Sequence, residues 1–206
     1  MAGFRVGQPV AALLNDFGRG PRAGGYAEVA VAHVTMATAL PEDADLARVA
    51  AVLVNGVTAW IALHHLARLR VTDDVLVLGA ELTGGRGVDV VVDPVGGQLR
   101  TLAFDRLAAF GRLVVPGNAS GQDEPVSGDA AWLGTRQLIG FSLGGVAHLL
   151  PDQISAATTA VVDLLRRDVL REPAPVILPP DQVADAHRAL EDRSAPAKTV
   201  LAIHGR

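Results

Sequence analysis

Few residues in this chain of 206 have the type and spacing that site chemistry requires. Cysteine is absent, which removes thiolate nucleophiles, disulfide frameworks and every Cys-containing zinc site together. His64 and His65 are adjacent, so on a helix they point about 100° apart, and no third ligand is spaced to join them. We therefore expect no metal, and surface or interface histidines instead. No Ser-His-Asp spacing or nucleophile elbow stands out. Gly79, Gly84, Gly85 and Gly87 do not follow G-x-G-x-x-G, and the residues after Gly87 favour strand over helix, so these glycines read as a surface turn. Asp93, Val95 and Gly96 follow an apolar run and so fall at the carboxyl end of a strand, where open α/β sheets bind ligands. Asp93-Pro94 is equally an ordinary turn signal.

Those residues need elements to hold them. Val75-Leu76-Val77-Leu78, after the turn Thr72-Asp73-Asp74, reads as a strand buried on both faces, as do Val88 to Asp93 and Gly111 to Gly117. Between the last two, Gln98 to Ala109 has helical spacing with Leu99, Leu102, Ala103, Leu107 and Phe110 as its apolar side. This βαβ alternation predicts a doubly wound parallel sheet. Gln137 to Leu143 reads as a further strand, Gln153 to Val169 as an amphipathic helix, Val176 to Leu178 as a strand, Asp181 to Glu191 as a helix and Thr199 to Ile203 as a closing strand. Upstream, the pattern predicts strands within Arg5 to Leu14 and over Tyr26 to Val31, a helix opened by Pro41, Asp43 and Asp45, a break at Asn55-Gly56, and a second helix from Thr58 to Leu69.

The length and bulk composition suit one large domain or two small ones sharing a core. Half the residues are hydrophobic and 19% are charged, with a net charge of −4 and no Lys/Arg run, which excludes disorder and makes nucleic acid an unsuitable partner. Val49 to Leu63 carries Asn55 and Thr58 and ends at His64-His65, so neither a membrane span nor a secretion signal is expected. The expectation is a cytoplasmic protein.

The order of the motifs is similar to one family. Gly24-Gly25-Tyr26-Ala27-Glu28, Val54-Asn55-Gly56-Val57-Thr58-Ala59-Trp60, Leu82 to Gly97 with Val88-Asp89-Val90-Val91-Val92-Asp93-Pro94-Val95-Gly96-Gly97 at its heart, and Gly111-Arg112-Leu113-Val114-Val115 resemble the zinc-free quinone oxidoreductase and zeta-crystallin branch of the medium-chain dehydrogenases. Near the end, Ala186-His187-Arg188-Ala189-Leu190-Glu191 and Ala197-Lys198-Thr199-Val200-Leu201 resemble it too, although Ala197 stands where that family usually has Gly. The resemblance implies an α/β fold, a Rossmann-like parallel sheet beside a GroES-like β-barrel built from both chain ends. It also implies NADPH as cofactor, no zinc, and hydride transfer to a quinone or activated alkene. Thr58, Gly117 and Asn118 correspond to the nicotinamide side, with Asp93, Val95 and Gly96 at the neighbouring strand end, and Lys198 corresponds to a basic residue able to meet a cofactor phosphate. No catalytic residue is assigned. Tyr26, the one Tyr of the chain, resembles a barrel-strand residue.

Two departures qualify the resemblance. The family's first barrel strands have no counterpart before Gly3, and Gly79-Ala80 runs directly into Glu81-Leu82-Thr83-Gly84-Gly85 where the family has a phosphate-binding turn, its helix and a second strand. The expected fold is thus a truncated Rossmann-like sheet with a partial barrel: residues 1–70 barrel-like with connecting helices, 71–170 Rossmann-like, 171–206 returning to the barrel. In strand order 3-2-1-4-5-6 the first and fourth strands are neighbours. Nine residues, Gly79 to Gly87, span up to about 30 Å, against about 13 Å needed to return along a short strand. The Val75–Leu78 strand should then lie directly beside the Val88 strand, at an exposed sheet edge. A homodimer through Gln137–Leu143 is implied by the family. A non-catalytic remnant serving as a dimeric scaffold is the alternative function.

Overall fold

The computed structural model describes residues 3–14, 24–77 and 86–203. Its contacts divide the chain into two compact units, Met1–Val57 with Gly144–Arg206, and Thr58–Leu143.

The second unit is built on a parallel sheet. Strands β3 (Val75–Val77), β4 (Val88–Val92), β5 (Leu107–Val115) and β6 (Gln137–Gly140) lie in the order β3-β4-β5-β6. Val75 pairs with Val90 and Val77 with Val92, so β3 runs directly beside and parallel to β4, as the strand-order argument predicts. Only ten residues, 78–87, connect the two strands. The turn expected around Gly79 to Gly85 lies outside the described residues. Gly87 is described: at φ +87° its Cα faces the backbone of Arg106 to Ala108, and a Cβ there would meet Arg106 O and Ala108 N at 2.7 Å. Glycine allows that close approach and that backbone angle.

Burial separates the strands. Along β4, Val88, Val90 and Val91 are buried, as they must be with neighbours on both edges. β3 does not follow the expectation of two buried faces: Val75 is 39% and Val77 69% exposed. Among the described residues β3 pairs with β4 alone, and an edge strand has half the cover of a central one.

Helix α2 (Gln98–Asp105) is shorter than its pattern suggests, and β5 takes up residues from Leu107. The buried stripe is Arg100, Ala103 and Phe104, continued by Leu107, whereas Leu99, Leu102 and Phe110 are exposed. Spacing i, i+3, i+4, i+7 is one helix face, rotated away from the expected apolar side. Val88, Val91, Ala103, Phe104, Leu107 and Leu113 form the core of this unit. Phe104, 1% exposed, contributes about 2–3 kcal/mol by burial. Helix α3 (Gly128–Gly134) is capped by Ser127, whose hydroxyl accepts from Asp129 N and Ala130 N at 3.1 and 3.3 Å.

Among the described residues the first unit holds two small sheets: β1 (Val10–Ala12) antiparallel to β2 (Ala37–Ala39), and β7 (Val176–Leu178) parallel to β8 (Thr199–Leu201). The strand expected over Tyr26–Val31 does not form, and β2 takes the pairing position beside β1. Tyr26 is exposed, its hydroxyl 3.1 Å from His187 Nε2. Helix α1 (Leu46–Trp60) starts at Asp45, whose carboxylate accepts from Arg48 N at 3.0 Å. It does not break at Asn55-Gly56, and a π-helical turn, Ile61–Leu66, extends it. Gly56 is there for closeness: a Cβ would meet Val161 Cγ1 at 2.8 Å, so helix α5 (Pro151–Arg166) lies against bare backbone. α5 buries Ile154, Ala157, Thr158, Val161, Val162 and Leu165 along one face. By length and composition alone, Leu46–Leu66 is apolar enough to cross a membrane, and 33% of it is buried inside the protein. A short helix α4 (Leu143–Val146) precedes α5, and α6 (Val183–Glu191) precedes β8; the strand expected over Gln137–Leu143 ends at Gly140.

Candidate functional site

Parallel strands end together, so the loops after β4 and β5 meet at one rim of the sheet. After β4, Asp93 is wholly buried, and one carboxylate oxygen accepts from Val95 N and Gly96 N, both at 2.9 Å. Gly96 and Gly97 follow at φ +81° and +62°. This tight turn folds the chain back into α2 and brings Arg100 under the loop. Arg100 Nε donates to the second Asp93 oxygen at 2.8 Å, Nη1 to Asp123 Oδ1 at 2.7 Å and Nη2 to Gly117 O at 3.3 Å. One guanidinium therefore ties the loop after β4 to the loop after β5. A planar fork of five donors suits that task, and the positive charge of the guanidinium makes each bond a charge-assisted one.

The two loops are further sewn by backbone. Ala119 N donates to Pro94 O at 3.0 Å, Ser120 N to Val95 O at 2.9 Å, and Gly97 N to Gln122 O at 3.0 Å. Asn118, with its Nδ2 turned toward these acceptors, donates to Val95 O at 3.2 Å and Gln122 O at 2.8 Å. Its amide leaves no room at Gly96, where a Cβ would lie 1.9 Å from it.

The structure thus brings together Asp93, Val95, Gly96, Gly117 and Asn118 from the sequence expectations. Asp93, however, has its carboxylate directed inward to backbone amides and Arg100, while Asn118 is exposed at the rim. Thr58 is half-buried in α1. Lys198 belongs to the first unit, exposed, with its carbonyl accepting from Val176 N at 2.8 Å. Arg100 and Asp123 were missed by sequence reasoning. The signal was present in part, since Arg100 begins the stripe 100, 103, 104, 107 and an Arg on a buried helix face needs a buried acid to pair with.

A second ionic group holds the opposite end of the sheet. Arg112 on β5 donates to Ala67 O at 2.9 Å and to Asp73 at 2.6 Å, while Arg86 bonds Asp74 and Asp89. The hydrogen bond from Arg86 and then that from the Asp74 backbone hold the Asp89 carboxyl below its ordinary range, while the side-chain hydrogen bonds to Asp89 and then to Asp74 raise the Arg86 guanidinium. These anchor the turn before β3; they lie at the amino ends of the strands.

Among the described residues no three His, Cys, Asp or Glu side chains are grouped to hold a metal. The His64 ring packs on Trp60, 4.2 Å between centroids. The chain has no Cys, so any zinc site built with Cys ligands is ruled out.

Residues 61–201 match the zinc-binding dehydrogenase family. A 2-haloacrylate reductase from a Burkholderia species is 27% identical over 140 residues, covering 67% of this chain and 41% of that protein. A reducing polyketide synthase, rads1, of Floropilus chiversii is 30% identical over 129 residues, 61% of this chain and 5% of the synthase. The chain therefore spans less than half the length of these curated relatives. Among solved structures, a quinone oxidoreductase of Pseudomonas syringae pv. Tomato DC3000 superposes with a TM-score of 0.77 at 21% identity, covering 96% of this chain and 75% of that one. Mycobacterial Rv1454c complexed with NADPH does so with a TM-score of 0.70 at 21% identity, covering 82% and 68%. At these identities the likeness is one of fold.

Proposed function

Since this chain belongs to the zinc-binding dehydrogenase family of medium-chain dehydrogenases and reductases, we propose that it is a zinc-independent, NADPH:quinone oxidoreductase-like protein that reduces a quinone or an activated alkene. The observation that carries this reading is the convergence of Val95, Gly96, Gly117 and Asn118 on one rim at the carboxyl ends of β4 and β5, where open parallel sheets bind ligands. NADPH, when bound, supplies the hydride. The chain's part is orientation: Asn118, with its side chain fixed by Val95 and Gln122, offers an exposed amide to the nicotinamide end, and Thr58 keeps the cofactor role that the resemblance gives it. The Burkholderia relative is named for reducing 2-haloacrylate, an activated alkene, and the mycobacterial structure is a complex with NADPH, which supports the class of reaction and cofactor. We assign the edge strand β6, with Leu138 48% exposed, to a homodimer interface, and the protein to the cytoplasm.

One observation favours a second reading, a non-catalytic dimeric scaffold. Parallel strands usually need a crossover of about a dozen residues or more, whereas β3 and β4 are joined by ten, which leaves little chain for a helix to receive a pyrophosphate. Titration with NADPH, followed by calorimetry, separates the two. Micromolar binding supports the reductase, and no binding at millimolar cofactor supports the scaffold.

A further inference from the structure

Arg100 has three partners of unequal permanence. Asp93 is wholly buried and held by two amides, and Gly117 O is backbone, but the Asp123 side chain is 80% exposed while that of Arg100 is 9% exposed. Asp123 therefore covers the outward-facing Nη1 of a built-in cation with a carboxylate that reaches in from solvent. Among the described residues this ion pair is the one side-chain contact Asp123 makes. We propose that Asp123 occupies, from within the chain, the seat of an external oxyanion on Arg100, so that the rim beyond β4 and β5 takes a ligand carrying a carboxylate or phosphate group.

The charges support an exchange. Asp93 neutralises Arg100, and the Arg100 fork still has Nη1 pointing outward, a donor that must be paired when water is largely excluded. Removing Asp123 leaves that donor without a partner. A ligand oxyanion restores the same bond with the same charge, so the replacement carries no new desolvation of Asp93 or Arg100. The guanidinium itself need not move, because Asp93 Oδ2 and Gly117 O hold it at two other points. Gly96 fixes its place from the other side, since a Cβ there would lie 2.9 Å from Arg100 Nη2. Gly121, at φ +69° with nothing within 4 Å of a Cβ, gives the segment bearing Asp123 a turn with free space around it.

The tethered carboxylate competes with any external anion, so the apparent affinity is the intrinsic one multiplied by the fraction of molecules in which Asp123 has swung away. An ion pair with one exposed partner, worth up to about 1 kcal/mol, is open roughly one-sixth of the time. The test titrates the full chain, without NADPH, with sodium acetate, inorganic phosphate and neutral acetamide, following the backbone amide resonances of residues 96–100. We expect D123A to bind acetate or phosphate up to about sixfold more tightly than the wild type, with acetamide bound by neither. A gain for acetate assigns the seat to a substrate carboxylate, and a gain for phosphate to a phosphate group. Equal affinities of the wild type and D123A for both anions, or shifts confined to residues remote from Arg100, would overturn the proposal. The cofactor titration is a separate measurement, so each reading stands or falls alone.

Discussion

If the Asp93 carboxylate is an internal anchor and not a ligand group, replacing it with Asn must cost stability before it costs binding. Asp93 is wholly buried and accepts from Val95 N, Gly96 N and Arg100 Nε at 2.9, 2.9 and 2.8 Å. Asn keeps one oxygen for the two amides but turns an NH2 toward the Arg100 Nε–H, setting donor against donor beside an unneutralised buried cation. Breaking a buried pair from one side costs about 3–5 kcal/mol. Asp123 still compensates part of the Arg100 charge, so about 3 kcal/mol is the working figure for D93N. At roughly 2–4 °C per kcal/mol for a chain of this size, the melting temperature falls by about 6–12 °C. Urea unfolding of the full chain followed by circular dichroism measures the loss, and a double-mutant cycle with R100M isolates the pair, with an expected coupling of about 2 kcal/mol. Had Asp93 been facing a ligand, D93N would fold as firmly as the wild type. A D93N stability within about 0.5 kcal/mol of wild type, or an additive cycle, would refute the anchor.

Three further substitutions probe the rest of the framework. G96A places a Cβ 1.9 Å from the Asn118 amide at φ +81°, so thermal melting should show a loss of more than about 3 kcal/mol. G56A gains about 1 kcal/mol of helix propensity but drives a Cβ to 2.8 Å from Val161. Overpacking costs about 1–3 kcal/mol, so G56A is net destabilising, and adding V161A should recover part of the loss in a denaturant cycle. The Asp89 carboxyl is held below its ordinary 3.8, first by the Arg86 hydrogen bond and then by that of the Asp74 backbone. A depressed carboxylate contributes stability that is full above the ordinary value and is lost as pH falls through the folded value. The wild-type advantage over D89N in melting temperature should therefore shrink below roughly pH 4, and a constant difference down to pH 2 would contradict it.

Strand periodicity was the most legible feature, because an uninterrupted Val run between turn residues has few other readings. β4 lies where the pattern puts it, and β3 beside β4 follows from strand order once the connection is counted at ten residues. The failures share a physical origin in tertiary contacts that local pattern does not carry. Asn55-Gly56 looks like a helix stop, yet Gly56 is selected by the approach of Val161. Leu99 and Leu102 look like the buried side of α2, yet they are exposed and Arg100 is buried, because the acid that Arg100 must meet stands seven residues earlier in another element. Tyr26–Val31 alternates like a strand, but β1 pairs with β2 instead.

At the site this matters for how resemblance is used. Asp93, Gly96 and Asn118 were singled out as ligand-side residues, and the structure gathers all three, but it spends Asp93 on Arg100 and packs Gly96 against Asn118. A residue satisfied on every polar atom has nothing left to offer a ligand. What remains at this rim is the amide oxygen of the exposed Asn118, whose NH2 is spent on Val95 O and Gln122 O, and the Arg100 Nη1 beneath an exposed Asp123. At the carboxyl ends of β4 and β5 the groups that face outward are thus set in place from below, by the bond that Arg100 makes to the buried Asp93.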